Sequence, residues 1–253
     1  MKLYAILLLC VGLMTFQTTA QTLEGAYKLV SMNGEPVANH KIKLFQDGYF
    51  TFGHAQAGDN AYLGAGGGNF ALKGNAYEEI FDFYPQDSTQ VGTTRTYNFE
   101  RQGDSIQLTR MDKGQQRVEI WEKLPPREDE LKGFWVFTGR KDNEGQLSRY
   151  TPGARRTIKM LVDGYFQWVA FNSETKQFMG TGGGTYEAES GTYTENIQFF
   201  SRDNARVGAS LSFSFERIGD DWHHSGKSST GNPIYELWSP YRQAYVVAQG
   251  EEE

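Results

Sequence analysis

Six polar residues stand where a strand-rich sequence would keep aromatic rings. Glu79 shares one alternating face with Tyr77, Phe81 and Phe83, and Glu195 shares another with Tyr193, Ile197 and Phe199. Glu119 and Glu236 come two residues before Trp121 and Trp238, so each acid is in phase with an indole. Arg101 and Arg217 end segments that carry Phe99 and Phe215 in the same phase. If these faces turn inward, each set encloses two acids and a base among rings, and a buried charge must be paired or shift its pKa. Three chemistries fit. A Glu–Arg pair can brace a fold. A few convergent polar groups can fix the head group of a ligand in an otherwise apolar pocket. Paired carboxylates, Glu79 with Glu119 or Glu195 with Glu236, can act as acid and base, provided one carboxyl has a raised pKa.

Other constellations carry less. His40 and His54 are isolated, and the adjacent His223 and His224 would point to opposite faces of a strand, so no metal site is expected. There is no Gly-x-Ser-x-Gly elbow and no Ser–His–Asp arrangement. The glycine triplets Gly66–Gly68 and Gly182–Gly184 are followed by strand-like sequence rather than a helix. They read as bulges or sharp bends, not phosphate loops. Arg155 and Arg156, with Lys159 nearby, read as a small solvated basic patch.

The chain repeats itself. Ile42-Lys43 and Asp47-Gly48-Tyr49-Phe50 recur as Ile158-Lys159 and Asp163-Gly164-Tyr165-Phe166, an offset of 116 residues. The glycine triplets, Tyr77 with Tyr193, Glu79 with Glu195 and Arg101 with Arg217 keep the same offset. A period this long marks a duplicated domain rather than a solenoid. The segment KLPPREDE, with two prolines and a charge run, suits a short stiff linker. The expected units are a signal peptide over 1–20, a barrel over 21–123, a linker over 124–130, a second barrel over 131–241 and a tail over 242–253.

Within the first copy, short aromatic and β-branched runs lie at about 23–31, 41–46, 48–54, 62–72, 76–84, 93–101, 104–111 and 115–122. Gln46-Asp47-Gly48 and Gln102-Gly103-Asp104 are hairpin signals. Short connections in sequence order favour a meander, and eight such strands most simply close on themselves. The expected fold is therefore all-β: two tandem antiparallel eight-stranded up-and-down barrels.

Gly133-Phe134-Trp135 near the start of a copy, an Asp-Gly-x-Phe turn, a GGG-Tyr segment, a Tyr-Thr-Glu strand and a closing Glu-x-Trp together resemble the small lipocalin-like domains of unknown function in secreted Bacteroidetes proteins. The first copy departs from that pattern, with Tyr27 where the second has Trp135. The resemblance implies a calycin-type barrel that binds a small molecule, and it brings no catalytic residues.

Composition bounds the alternatives. The 253 residues include 25 Lys and Arg against 31 Asp and Glu, which argues against a nucleic-acid partner. Leu3–Phe16 is apolar behind Lys2 and precedes Thr18-Thr19-Ala20, so export with cleavage after Ala20 is expected, to a periplasm or outside the cell. Cys10 lies within that segment and is the single cysteine, and no later stretch is long and apolar enough to span a membrane as a helix. The preferred reading is a binding protein for a small hydrophobic or amphipathic molecule, without a cofactor. Its candidate ligand residues are Tyr77, Glu79, Arg101, Glu119 and Trp121 in the first copy, and Tyr193, Glu195, Phe199, Phe215, Arg217, Glu236 and Trp238 in the second. The alternatives are a carbohydrate-binding or cell-surface module displaying its tryptophans, and a barrel hydrolase or isomerase using one glutamate. Oligomeric state is left open.

Overall fold

The computed structural model describes residues 23–228 and 231–244. The signal-peptide reading of 1–20 lies outside them. The first half contains strands β1 (Gly25–Met32), β2 (Glu35–Pro36), β3 (His40–Gln46), β4 (Tyr49–Ala55), β5 (Tyr62–Lys73), β6 (Ala76–Phe83), β7 (Thr94–Gln102), β8 (Ser105–Asp112) and β9 (Gln115–Lys123). The second contains β10 (Gly133–Lys141), β11 (Leu147–Arg149), β12 (Arg155–Val162), β13 (Tyr165–Asn172), β14 (Gln177–Glu189), β15 (Thr192–Phe200), β16 (Ser210–Ile218), β17 (Asp221–Lys227) and β18 (Pro233–Pro240). In each half the strands pair in sequence order, and the first main strand pairs with the last, β1 with β9 and β10 with β18. Eight strands thus close into an antiparallel barrel, and the short β2 or β11 adds a ninth beside it. The structure is all-β, two lipocalin-like barrels in tandem, and every main ladder is satisfied within its own barrel.

Alternation decides which side chains fill each barrel. Tyr27, Phe45, Phe50, Tyr77, Phe81, Phe99, Ile106 and Trp121 pack one interior. Trp135, Leu161, Phe166, Tyr186, Tyr193, Phe213, Phe215, Trp222 and Trp238 pack the other. The Asp47-Gly48 and Asp163-Gly164 turns both hold positive φ at their two central residues (53° and 71°, 52° and 79°), as the tightest hairpins require.

A third cluster lies between the barrels. The outward residues Leu44, Tyr49 and Phe83 of the first meet Phe134, Val136, Ile158, Met160, Val169 and Phe171 of the second. Tyr49 stacks on Phe134 at 4.5 Å, and Phe134 on Tyr241 at 4.0 Å. Polar contacts frame this seam. Ala26 N–H donates to Asp163 Oδ2 at 3.1 Å, and Arg127 N–H to Asp163 Oδ1 at 3.2 Å. Arg242, in the segment expected to be tail, donates to the Asp47 carbonyl.

The glycine triplets are bulges. The ladder between β5 and β6 shifts register at Gly67/Gly68, and that between β14 and β15 at Gly183/Gly184. None of these six glycines has a positive φ, so close approach is what requires them. A Cβ on Gly68 or Gly184 would run into the carbonyl of Ile80 or Asn196 on the neighbouring strand. The bulges also break the alternation expected of β6 and β15. Phe83 and Phe199 turn out of their barrels into the seam, where Phe83 meets Phe171 at 5.2 Å and the Phe199 ring covers Gly53. Phe199 therefore does not line the second barrel's interior, contrary to the strand-phase expectation.

Candidate functional site

The acids lie where strand phase puts them. Glu79, Glu119 and Glu195 are buried inside their barrels with Tyr77, Trp121, Tyr193 and Trp238, and Glu236 faces inward beside Trp238. Phe215 is buried in the wall of the second barrel.

The expected base is wrong. Arg101 and Arg217 are exposed at the end of their barrels. The Arg217 guanidinium lies over the Trp135 ring at 4.7 Å and donates to the carbonyls of Glu130 and Asp220. In the first barrel Arg101 lies close to the Tyr27 phenol, at the position equivalent to Trp135. Phase along a strand selects a face but not a depth. At strand ends a long cationic side chain keeps its head in water while its stem covers a ring.

The bases that meet the acids are lysines. Lys43 Nζ sits 2.6 Å from Glu79 Oε1, with side chains 3% and 1% exposed, and Lys159 Nζ sits 2.7 Å from Glu195 Oε1. Each pair spans the interior between strands that are not neighbours in the sheet, β3 with β6 and β12 with β15. Tyr77 and Tyr193 hydroxyls donate to the same carboxylates at 2.9 Å, and Tyr97 adds a contact at 3.3 Å in the first barrel. Lys159 thus belongs to the interior, not to a solvated patch with Arg155. Arg156 is mostly buried and approaches Asp82 of the first barrel at 3.6 Å.

The second acid of each barrel has a different environment. Glu119 accepts from Trp121 Nε1 at 3.0 Å and Arg117 Nε at 2.8 Å. Burial alone would raise this carboxyl, but the cations of Lys41, Lys43 and Arg117 hold it down at about 2. Glu236 accepts from Trp238 Nε1 at 3.1 Å and is bonded to His224 Nδ1 at 3.2 Å. Here too burial works upward, and the His224 and Trp238 hydrogen bonds with the Lys159 charge keep the carboxyl below its ordinary range. Burial depresses His224 in turn. A neutral imidazole bonded to a carboxylate through Nδ1 carries its proton there, which leaves Nε2 as an acceptor. Nε2 is buried without a hydrogen-bond partner among the described residues.

The two interiors differ in how they are filled. A cavity of about 310 Å³ enters the second barrel and reaches Lys159, Glu195, His224 and Glu236 between Trp168, Phe213 and Trp238. Arg202 and Arg206 stand at its outer rim. Strand register equates Thr157, Leu211 and Ile234 on its wall with Lys41, Arg95 and Arg117 of the first barrel. There the Lys41 ammonium occupies the space over Phe52 at 4.6 Å and Trp121 at 5.5 Å, and Arg95 covers Phe81 and Tyr84. Two other clefts, of about 420 and 560 Å³, gather around Tyr150–Pro152, the first sharing Thr157 with this cavity, and neither reaches the Lys159–Glu195 pair.

The residues missed from sequence were Lys41, Lys43, Lys159, Trp168 and His224. The repeat carried the signal for two of them, since Lys43 and Lys159 recur in phase with Phe45 and Leu161. His224 is in phase with Trp222, and His223 points to the opposite face, where its Nδ1 meets the Tyr235 hydroxyl at 2.7 Å. Among the described residues no group of three His, Cys, Asp or Glu could hold a metal ion, and no helix is long and apolar enough to cross a membrane.

No family model matches the chain, and no curated protein is detectably similar to it. Among solved structures it resembles the uncharacterized protein YLR301w from Saccharomyces cerevisiae, with a TM-score of 0.44 and 10% identity over 84% of this chain and 97% of that one.

Proposed function

We propose that this protein is an exported receptor for one small amphipathic molecule, held in the second barrel with its polar end on the Lys159–Glu195–Glu236 floor. The observation that carries the reading is the roughly 310 Å³ cavity that ends on buried charge in the second barrel, where the first barrel fills the equivalent space with its own side chains. Its size lies at the low end of small-molecule pockets, about 300–1,000 Å³. Trp168, Phe213 and Trp238 supply apolar walls, and the two acids and Lys159 supply orientation. The reading narrows the candidate residues to Tyr193, Glu195, Glu236 and Trp238, joined by Lys159, Trp168 and His224. Tyr77, Glu79, Glu119 and Trp121 then hold the first barrel together.

The alternatives have less support. A sugar platform needs exposed rings, and Trp121, Trp135, Trp222 and Trp238 are buried while Trp168 lines the cavity. An acid catalyst needs a raised carboxyl, and Glu119 and Glu236 are both held low. Export rests on residues 1–20 alone.

The test is titration with N-phenyl-1-naphthylamine, a neutral probe that brightens in apolar surroundings. Wild-type protein is expected to bind about one probe per chain, and Leu211→Trp, which fills the mouth, to weaken binding at least tenfold. Unchanged binding by that variant would place the ligand elsewhere and end the proposal.

A further inference from the structure

The two barrels have the same acids and different buried cations. The first interior holds Glu79 and Glu119 against Lys41, Lys43, Arg95 and Arg117. The second keeps both acids, as Glu195 and Glu236, and keeps the deep lysine, Lys159. Its other three positions are Thr157, Leu211 and Ile234, none of them charged. Lys159 is matched by Glu195 at 2.7 Å. Burial pushes the His224 imidazole below its ordinary range, against the pull of Glu236 at 3.2 Å. The carboxylate of Glu236 thus lacks the counterparts of Arg117 and Lys41 that surround Glu119, and its side chain is 29% exposed in the cavity. The rim arginines stand at the outer mouth and make their own bonds there, and Arg202 keeps its charge. Arg202 donates to the Met179 carbonyl, and Arg206 pairs with Asp203 at 3.7 Å.

We infer that the second barrel takes an organic cation, a protonated amine or guanidine on an apolar body, whose charge occupies the place that Lys41 and Arg117 side chains occupy in the first. This rests on the receptor reading above and names the ligand class for the same cavity. The first barrel displays the recognition with internal groups. The Lys41 ammonium lies over Phe52 and Trp121, and Arg117 Nε reaches Glu119 at 2.8 Å. The matching surfaces of the second barrel are Trp168, Trp238 and Glu236, all on the cavity wall. Exchanging Phe52 for an indole strengthens attraction for a cation over the ring face. His224 Nε2, a buried acceptor with no partner among the described residues, adds a site for an N–H donor. A carboxylate ligand would meet the charge of Glu236 at the floor and is disfavoured there.

The experiment compares three molecules of one shape, 2-phenylethylamine, 2-phenylethanol and phenylacetate, by calorimetry and quenching of tryptophan fluorescence on the whole protein at neutral pH. The amine is expected to bind at least tenfold more tightly than the alcohol, and phenylacetate more weakly than either. Glu236→Gln should erase the preference for the amine over the alcohol. Thr157→Lys, which installs the first barrel's cation and leaves the floor intact, should abolish amine binding while the near-ultraviolet circular dichroism stays native. Equal binding of amine and alcohol, or a preference that survives either substitution, overturns the inference and leaves the receptor reading standing. No binding by any of the three, together with none by N-phenyl-1-naphthylamine, overturns both.

Discussion

An ammonium buried as deeply as that of Lys43 depends on its carboxylate partner, because desolvating the charge costs more than any packing around its stem returns. Glu79→Ala removes that partner, along with the acceptor of two tyrosine hydroxyls. Denaturant unfolding should register a loss of about 3–5 kcal/mol. Glu195→Ala breaks the equivalent pair beside an open cavity, where water can reach Lys159, so a smaller loss is expected. If the two variants are equally destabilised, the second interior is as dry as the first. Acid sensitivity belongs to the same cluster. Glu119 titrates at about 2 in the folded protein against an ordinary 4.5. Its contribution is thus present above pH 4.5 and lost as pH falls towards 2, about 3 kcal/mol in all. Glu119→Gln should flatten the stability profile over that window. These acids were legible in the sequence because period-2 phase with tryptophan or tyrosine is visible without a structure. Their lysines were not singled out, because a lysine between Ile42 and Leu44 has the same local pattern on a solvated face as in a buried one.

At the scale of the strand, hydrophobic alternation and turn residues placed the eight main strands of the first copy to within two residues, without the short β2, and the Asp-Gly turns set the hairpin registers. The bulges were legible as glycine triplets, but their consequence was not. One extra residue opposite Gly67/Gly68 and Gly183/Gly184 reverses the side to which the end of the next strand points. Alternation counted from Tyr193 therefore puts Phe199 inside the barrel, whereas its ring rests on the outside, against Gly53. The triplets are unequal in what they demand. At Gly184 a methyl group would meet the Asn196 backbone, which cannot step aside, whereas at Gly182 it would meet the rings of Trp168 and Phe200. Gly184→Ala should cost on the order of 2–3 kcal/mol through overpacking against backbone. Gly182→Ala should change stability less and instead shift the Trp168 wall of the cavity, which tryptophan fluorescence can detect. Equal losses at the two sites would argue against the backbone contact as the cause.

For the whole molecule, a repeat in sequence gives two barrels but says nothing about whether they touch, since outward residues such as Ile158 and Val169 also suit an isolated sheet with a few apolar surface positions. The seam makes them one body. It buries Val136, Ile158, Met160 and Val169 completely, and it is crossed by the bonds of Asp163 to Ala26 and of Gln167 Nε2 to the Phe52 carbonyl at 3.1 Å. Such a contact resembles a domain core more than the polar, mobile interfaces common between linked domains. Wild-type protein is accordingly expected to unfold in a single transition by both calorimetry and fluorescence. Ile158→Asp places an unpaired carboxylate in the seam while leaving the inward neighbours Thr157 and Lys159 in place. The barrels should then separate without unfolding, and the single transition should become two. The second barrel should keep its ligand affinity, because the cavity is lined by residues of that barrel alone. A single transition in the variant, at a lower midpoint, would mean that neither barrel is stable without the other; in that case the first barrel serves as the second's structural support, and its filled interior is what allows the second to remain open.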